Sequence, residues 1–252
     1  MKTLFFNWIK RSMRCAIVIP VYNHEATVAG VVRQCLELGY PVFVVDDGST
    51  DSTYDTIKDI PDVTILRHSQ NRGKGAALLT GFAEAAKSAD WALTLDADGQ
   101  HRPEDIPRLV AAVPEGKRLI VVGRREGMLA ENVPWASRFG RKFSNFWVQA
   151  SGGPVVSDTQ SGMRLYPLPE TFNLPVRTRR FQFEVEVLVK ARWYGIPVKE
   201  VPIHVSYAPK NERISHYRGF VDFMRNSSAF TRLIFGRFFF LPFIRIRKKT
   251  AR

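Results

Sequence analysis

The sequence predicts an α/β protein with a mostly parallel sheet flanked by helices. Short apolar runs recur through the first half of the chain, helical patterns separate them, and nearly every run ends in polar residues able to do chemistry. The 252 residues fit one large domain, or one domain with an appendage, and a hydrophobic content of 45% is enough to fill a core.

The elements follow in order. AIVIPVYN (16–23) is a buried-strand run ending in a turn. In 26–38, Val28, Val31, Val32, Cys35 and Leu36 fall at helical spacing, and Gly39 is the expected stop. YPVFVVDDGS (40–49) is a second strand, followed by a short helix from Ser52, and DVTILRH (62–68) is a third strand. An alanine-rich helix opened by glycines covers 73–89. WALTLDADG (91–99) is a fourth strand, and 103–113 is a helix with Pro103 at its start. KRLIVVG (117–123) is a fifth strand. An aromatic, basic helix is predicted over 134–153, a loop and short strand over 155–167, a helix over 181–195 and a strand over 196–207. A long helix from about Ser215 to Phe235 then leads into a basic tail.

Polar residues cap the strands: Tyr22 and Asn23 the first, Asp46 and Asp47 the second, Asp96 and Asp98 the fourth, Arg124 and Arg125 the fifth. Ligands of open α/β sheets bind at the carboxyl ends of the strands, so these residues converge on one edge. Asp96 and Asp98 lie one residue apart in an extended segment and point to the same face. Two carboxylates aimed at one point suit a hard divalent cation. A solvated turn is the alternative, since Asp and Gly are common turn residues.

The net charge of +13 is uneven. From Val205 onward Lys210, Arg213, Arg218, Arg225, Arg232, Arg237, Arg245, Arg247, Lys248, Lys249 and Arg252 face only Glu212 and Asp222, which is eleven against two, or +9. Anionic lipid, nucleic acid and phosphorylated substrates are the partner classes such a tail admits. No RNA- or DNA-binding motif accompanies it, so nucleic acid is not the expected partner. The two cysteines, Cys15 and Cys35, form no zinc motif and imply buried free thiols. The apolar stretch LIFGRFFFLPFI has twelve residues with Arg237 inside it, short of the roughly twenty a spanning helix needs. No signal peptide is legible at the N-terminus, and the expected location is the cytoplasm.

Taken together, IPVYN (19–23), VVDDGSTD (44–51), NRGKGAAL (71–78), LDADGQH (95–101), VGRR (122–125), DTQSGMRLY (158–166) and FEVEVLVKA (183–191) with VKEVPI (198–203) resemble family 2 glycosyltransferases of the GT-A fold. Within that family they are similar to the dolichyl-phosphate mannose or glucose synthase-like branch. The resemblance divides the chain into a basic and apolar segment (1–14), a GT-A domain (15–208) and a C-terminal amphipathic basic helix and tail (209–252). It implies transfer of a sugar from a nucleotide-diphosphate sugar, by metal-assisted inverting displacement, to a polyprenyl phosphate. Asp96, Asp98 and Gln100 resemble the metal site, for Mg²⁺ or Mn²⁺, with Asp98 the more direct ligand. Pro20, Tyr22, Asp46 and Asp47 match positions bordering the nucleotide. Where many relatives carry Glu directly after YN, this chain has His24 and then Glu25, and Glu25 is the candidate nucleotide-sugar contact there. Lys74 is a candidate phosphate contact, and Asp51 is a candidate helix cap.

A phosphate acceptor is already ionised and needs cations rather than a base. Arg125, Arg138, Arg141 and Arg164 are the available ones, with Arg125 and Arg164 placed after landmark motifs. If the acceptor were a lipid or sugar hydroxyl, Asp158 would be the candidate base. RISHY (213–217), in place of the G-x-S-K-like stretch of dolichyl-phosphate synthases, keeps that alternative open. Glu184 and Glu186, two apart on a helix, cannot share a face, and Glu184 better matches the family's acidic position. The aromatic tail residues among cations suit a segment lying on the cytoplasmic face of an anionic membrane, with Leu4, Phe5, Phe6, Trp8 and Ile9 as a second contact.

Overall fold

Seven apolar runs pair into one sheet in this computed structural model, whose described residues are 13–126, 135–206 and 219–242. The strands are β1 (Cys15–Val21), β2 (Val42–Asp46), β3 (Val63–Arg67), β4 (Trp91–Thr94), β5 (Ile120–Arg125), β6 (Arg164–Pro167) and β7 (Val198–Ile203), in the order β3-β2-β1-β4-β6-β5-β7. All pairings are parallel except those of β6, which runs antiparallel between β4 and β5. The helices are α1 (Val28–Glu37), α2 (Thr53–Ile57), α3 (Lys74–Ala85), α4 (Ile106–Ala111) after a 3₁₀ turn at Pro103–Asp105, α5 (Trp135–Ala150), α6 (Phe183–Trp193) and α7 (Gly219–Phe239).

The period of two in the strands divides the core. Ile17, Ile19, Val44 and Leu93 face α1 and α4 through Val28, Val32, Ile106 and Leu109. Ala16, Val18, Phe43, Val45 and Ala92 face α3 and α6 through Ala77, Phe82, Phe183 and Leu188. Both cysteines are free and buried, and that burial pushes each thiol up to about 12. α1 stops where expected: Gly39 takes φ 65° and donates its N–H to Leu36 O at 2.9 Å.

A third layer lies outside α6. Val185, Val189 and Trp193 of α6 pack with Val148 of α5 and with Phe230, Leu233 and Leu241 at the C-terminal end of the chain. Gln182 Nε2 donates to Asn226 Oδ1 at 2.9 Å, and Arg232 lies 3.3 Å from Glu186, pinning α7 to α6. With packing on two sides, α6 is buried nearly all round, Glu184 and Glu186 included. The tail expectation therefore divides. Leu233 and Leu241 are buried, whereas Phe235, Phe238, Phe239 and Phe240 are at least 60% exposed. Residues 1–12, RISHY, and the basic cluster from Arg245 to Arg252 lie outside the described residues.

The alanines and glycines of α3 let it lie close on the sheet. A Cβ on Gly81 would overlap Val18 Cγ1 and stand 3.1 Å from Val45 Cγ2. Gly81→Ala gains about 1 kcal/mol of helix propensity. Overpacking costs roughly 1–3 kcal/mol, and fully buried Val18 and Val45 have nowhere to yield. The overpacking term is expected to win, and urea denaturation of the variant should show a lower midpoint than the parent at an unchanged slope.

Candidate active site

The carboxyl ends of β1, β2, β4 and β5 and the start of the reversed β6 lie on one edge of the sheet, which brings Tyr22, Asp46, Asp47, Asp96, Asp98, Arg125 and Arg164 to it. On the β1–β2 side two turns are stitched together. Asn23, at φ 53°, donates its N–H to Ser49 Oγ at 3.0 Å and accepts from Thr50 N at 2.8 Å through Oδ1. His24 N donates to Thr53 Oγ1 at 2.8 Å. Glu25 Oε2 accepts from Ser52 N at 2.9 Å and Asp51 Oδ1 from Thr53 N at 3.0 Å, so both carboxylates serve the start of α2. Pro20 is buried inside β1, opposite Val45.

The two aspartates at the end of β2 turn inward. Asp46 Oδ1 accepts from Ser49 N at 2.8 Å, and Arg67 Nε stands 3.0 Å from Oδ2 as a charge contact out of hydrogen-bond line. Asp47 accepts from His68 Nδ1 at 2.7 Å, Arg72 N at 2.9 Å and Gly73 N at 2.7 Å. Expected at the nucleotide, Asp47 has both oxygens engaged inside the fold, where it fastens the NRGKG loop. Sequence reasoning missed this anchoring because its partners come from a loop more than twenty residues away.

That loop delivers Lys74, the first residue of α3. Its Nζ lies 2.6 Å from Asp96 Oδ1 and 2.8 Å from Glu184 Oε1 on α6, so Glu184, not Glu186, faces the site. Glu186 instead accepts from Thr178 N at 2.9 Å and Thr178 Oγ1 at 2.7 Å. Burial opposes ionisation of Asp96, but Lys74, His101 and Arg125 outweigh it and hold the carboxyl near about 2. Asp98 goes the other way, raised by burial and by the charge of Asp96. Gly162 walls off Asp96: a Cβ there would stand 2.6 Å from Oδ1 and overlap Oδ2. Thr27 Oγ1 donates to Ala97 O at 2.6 Å, holding the residue between the two aspartates. Gln100 N donates to Asp98 Oδ1 at 3.0 Å.

Among the described residues no three His, Cys, Asp or Glu side chains surround one point as a preformed metal cage. The donors nevertheless fit a hard cation. Two crowded carboxylates raise each other's energy, which a cation relieves, and Gln100 and ligand oxygens are of the type that completes such a shell. His101 is buried beside them, with Nε2 4.0 Å from Asp96 Oδ2 and Nδ1 unpaired among the described residues. Burial lowers its proton affinity below that of an ordinary histidine.

Across the edge, Arg125 grips Asp158 bidentately, Nε to Oδ2 at 2.7 Å and a terminal nitrogen to Oδ1 at 2.8 Å, while its N–H reaches Oδ2 at 3.1 Å. Asp158 is fully buried, and although burial opposes it, Arg125 holds this carboxyl below its ordinary range. The remaining expectation fares differently. Arg164, read from sequence as a phosphate-binding cation, is fully buried. It donates to Ser161 O at 2.7 Å, Thr159 O at 2.9 Å, Glu184 O at 2.7 Å and Tyr166 Oη at 3.2 Å. Three of its five N–H donors go to carbonyls and one to the Tyr166 hydroxyl, which ties the loop before β6 to α6, and its full burial keeps a ligand from reaching it.

The sequence profile described as glycosyl transferase family 2 matches residues 16–171. UDP-N-acetylglucosamine–dolichyl-phosphate N-acetylglucosaminyltransferase of Methanococcus voltae is 32% identical over 213 residues, 76% of this chain and 85% of that protein. Polyprenol monophosphomannose synthase of Mycolicibacterium smegmatis is 30% identical over 216 residues, 77% and 78% of the two chains. Among solved structures, glucosyl-3-phosphoglycerate synthase from Mycobacterium tuberculosis, with Mn²⁺, uridine diphosphate and glucosyl-3-phosphoglycerate, superposes with a TM-score of 0.69 at 20% identity, over 92% of this chain and 82% of that one. The fold, the carboxylate-bearing edge and these matches converge: the chain is a glycosyltransferase and belongs to glycosyl transferase family 2.

Proposed function

We propose that this glycosyltransferase moves a sugar from a nucleotide-diphosphate sugar to a polyprenyl phosphate, with inversion at the anomeric carbon. The observation that carries the reading is the charge layout of the edge. Lys74 is paired with Asp96, and Asp98 lies within the electrostatic reach of both, while the carboxylate that a hydroxyl acceptor would need as base, Asp158, is buried in the grip of Arg125. The names of relatives, a dolichyl-phosphate N-acetylglucosaminyltransferase, an undecaprenyl-phosphate transferase and a polyprenol monophosphomannose synthase, support the same acceptor class. The acceptor phosphate oxygen forms a bond to the anomeric carbon, the bond to the donor diphosphate breaks, and the nucleoside diphosphate leaves with the electron pair. No proton has to be removed, because the phosphate is already ionised.

The chain's own residues have three tasks in this reaction. The stitched turns at 22–25 and 49–53 shape the nucleotide side, with Tyr22 at the mouth. Asp96, Asp98 and Gln100 would hold Mg²⁺ or Mn²⁺, which neutralises charge on the departing diphosphate when bound. Lys74 supplies positive charge beside Asp96, which acts most strongly where water is scarce, whereas Arg125, paired with Asp158, orders the opposite flank without adding net charge. Arg164 positions rather than binds, keeping Glu184 and the Thr159–Ser161 loop in place.

Purified protein given nucleotide-diphosphate sugars and a polyprenyl phosphate should form a lipid-linked sugar only with a divalent ion. Asp98→Ala should abolish that ion-dependent turnover while melting as the parent does. Turnover that survives EDTA, or the substitution, would count against the metal assignment. The acceptor class has its own test. Asp158→Asn should cost less than the roughly 10²–10⁴-fold of losing a general base and should leave the pH profile's limbs in place. A loss in that range with a missing basic limb would favour a hydroxyl acceptor.

A lipid acceptor requires access to a membrane, and no helix among the described residues is long and apolar enough to cross one. The exposed ridge of Phe235, Phe238, Phe239 and Phe240, with Arg237 over the Phe238 ring, supports peripheral attachment to the cytoplasmic leaflet. Each cation near an anionic surface adds about 1 kcal/mol. Because Phe238 and Phe239 are exposed, Phe238→Glu with Phe239→Glu should spare the fold and reduce flotation with anionic liposomes. Equal flotation of parent and variant would remove the ridge from the account.

A further inference from the structure

We propose that Lys74 is the resident counter-cation of the metal site, so that a divalent ion enters together with a diphosphate that draws the lysine away. This rests on the metal role assigned above to Asp96 and Asp98. Lys74 Nζ stands between carboxylates from two separate elements, 2.6 Å from Asp96 Oδ1 and 2.8 Å from Glu184 Oε1. The ammonium is the cation already in place. Its side chain is only 15% exposed, so water screens it weakly.

Sharing is geometrically poor. With a metal–oxygen bond of about 2.1 Å, an ion bound to Asp96 Oδ1 would lie no more than about 4.7 Å from Nζ, and both would be positive. The carboxylate also sits close against Gly162, in the space a Cβ there would take, so it packs tightly on that side. A metal ion arriving alone therefore meets an oxygen already held by a competing charge.

A diphosphate changes this balance. An ammonium has three N–H donors, and two are committed to Asp96 and Glu184, leaving one for a phosphate oxygen. Once that phosphate arrives, Lys74 can pivot about Glu184, which stays as its anchor, and release Asp96 Oδ1. Lysine and metal then end on different oxygens of the same diphosphate. The metal site becomes available in the presence of the ligand that needs it, which makes Lys74 a positioning residue for metal entry as well as a phosphate contact.

The test reads metal binding without turnover. Titration of the full chain with Mn²⁺ alone, followed by the electron paramagnetic resonance of free Mn²⁺, compares the parent with Lys74→Gln and Lys74→Arg. Lys74→Gln should bind Mn²⁺ at least about tenfold more tightly than the parent, and Lys74→Arg, which keeps the charge, within about twofold of it. Equal or weaker binding by Lys74→Gln overturns the inference. If that variant does not fold, the parent decides alone. The ¹³Cε signal of Lys74, identified by its loss in Lys74→Arg, should stay in place with Mg²⁺ alone and move when Mg²⁺ and uridine diphosphate are added together. A signal that moves fully with Mg²⁺ alone, or never moves, overturns it. Absence of Mn²⁺ binding by every form, with uridine diphosphate present, overturns the metal reading along with it, whereas a missing tightening in Lys74→Gln overturns the inference only.

Discussion

Buried carboxylates without partners are too costly to keep, and that constraint organises the whole catalytic edge. Asp46, Asp47, Asp96, Asp158 and Glu184 sit at strand ends, in the loop before β6 or on the inner face of a helix, mostly out of water. Each is matched by a donor from a different segment: Ser49 and Arg67, the Arg72–Gly73 amides with His68, Lys74, Arg125, and Lys74 again. The loops between strands are consequently fixed by ionic and hydrogen-bonded ties more than by apolar contact. A loop held this way keeps a polar surface for ligands without becoming loose.

Much of this architecture is legible in the residues. The alternation of Ala16, Ile17, Val18 and Ile19 gives a strand buried on both faces, and Val28, Val31, Val32 and Cys35 give the inward stripe of α1. The direction of β6 is not legible. Its four residues look like any short strand, and they run backwards because the chain reaches them along the polar edge, with Gly162 set against Asp96. Strand direction here is a property of the path, which local pattern does not encode.

The site divides along the same line. Asp96, Asp98 and Arg125 stand out because polar residues end apolar runs. The separation of Glu184 from Glu186 also follows from helical geometry. Asp47 and Arg164 have the same outward signature, yet their charges are consumed internally. Residue type reveals that a charge is present at the edge, whereas only the partners reveal whether it is spent. Gly162 carries the opposite lesson. A glycine inside a loop motif looks unremarkable until the carboxylate it shelters is in view.

The sandwiching of α6 bears on how the molecule tolerates change. One side of that helix belongs to the sheet core and carries Glu184 to the site; the other carries Val185, Val189 and Trp193 beneath α7. The outer layer therefore rests on the same helix that presents the carboxylate anchoring Lys74. The exposed aromatic ridge of α7 is thus one helix away from the carboxylate that anchors Lys74, so the outer surface and the carboxylate edge share a single support.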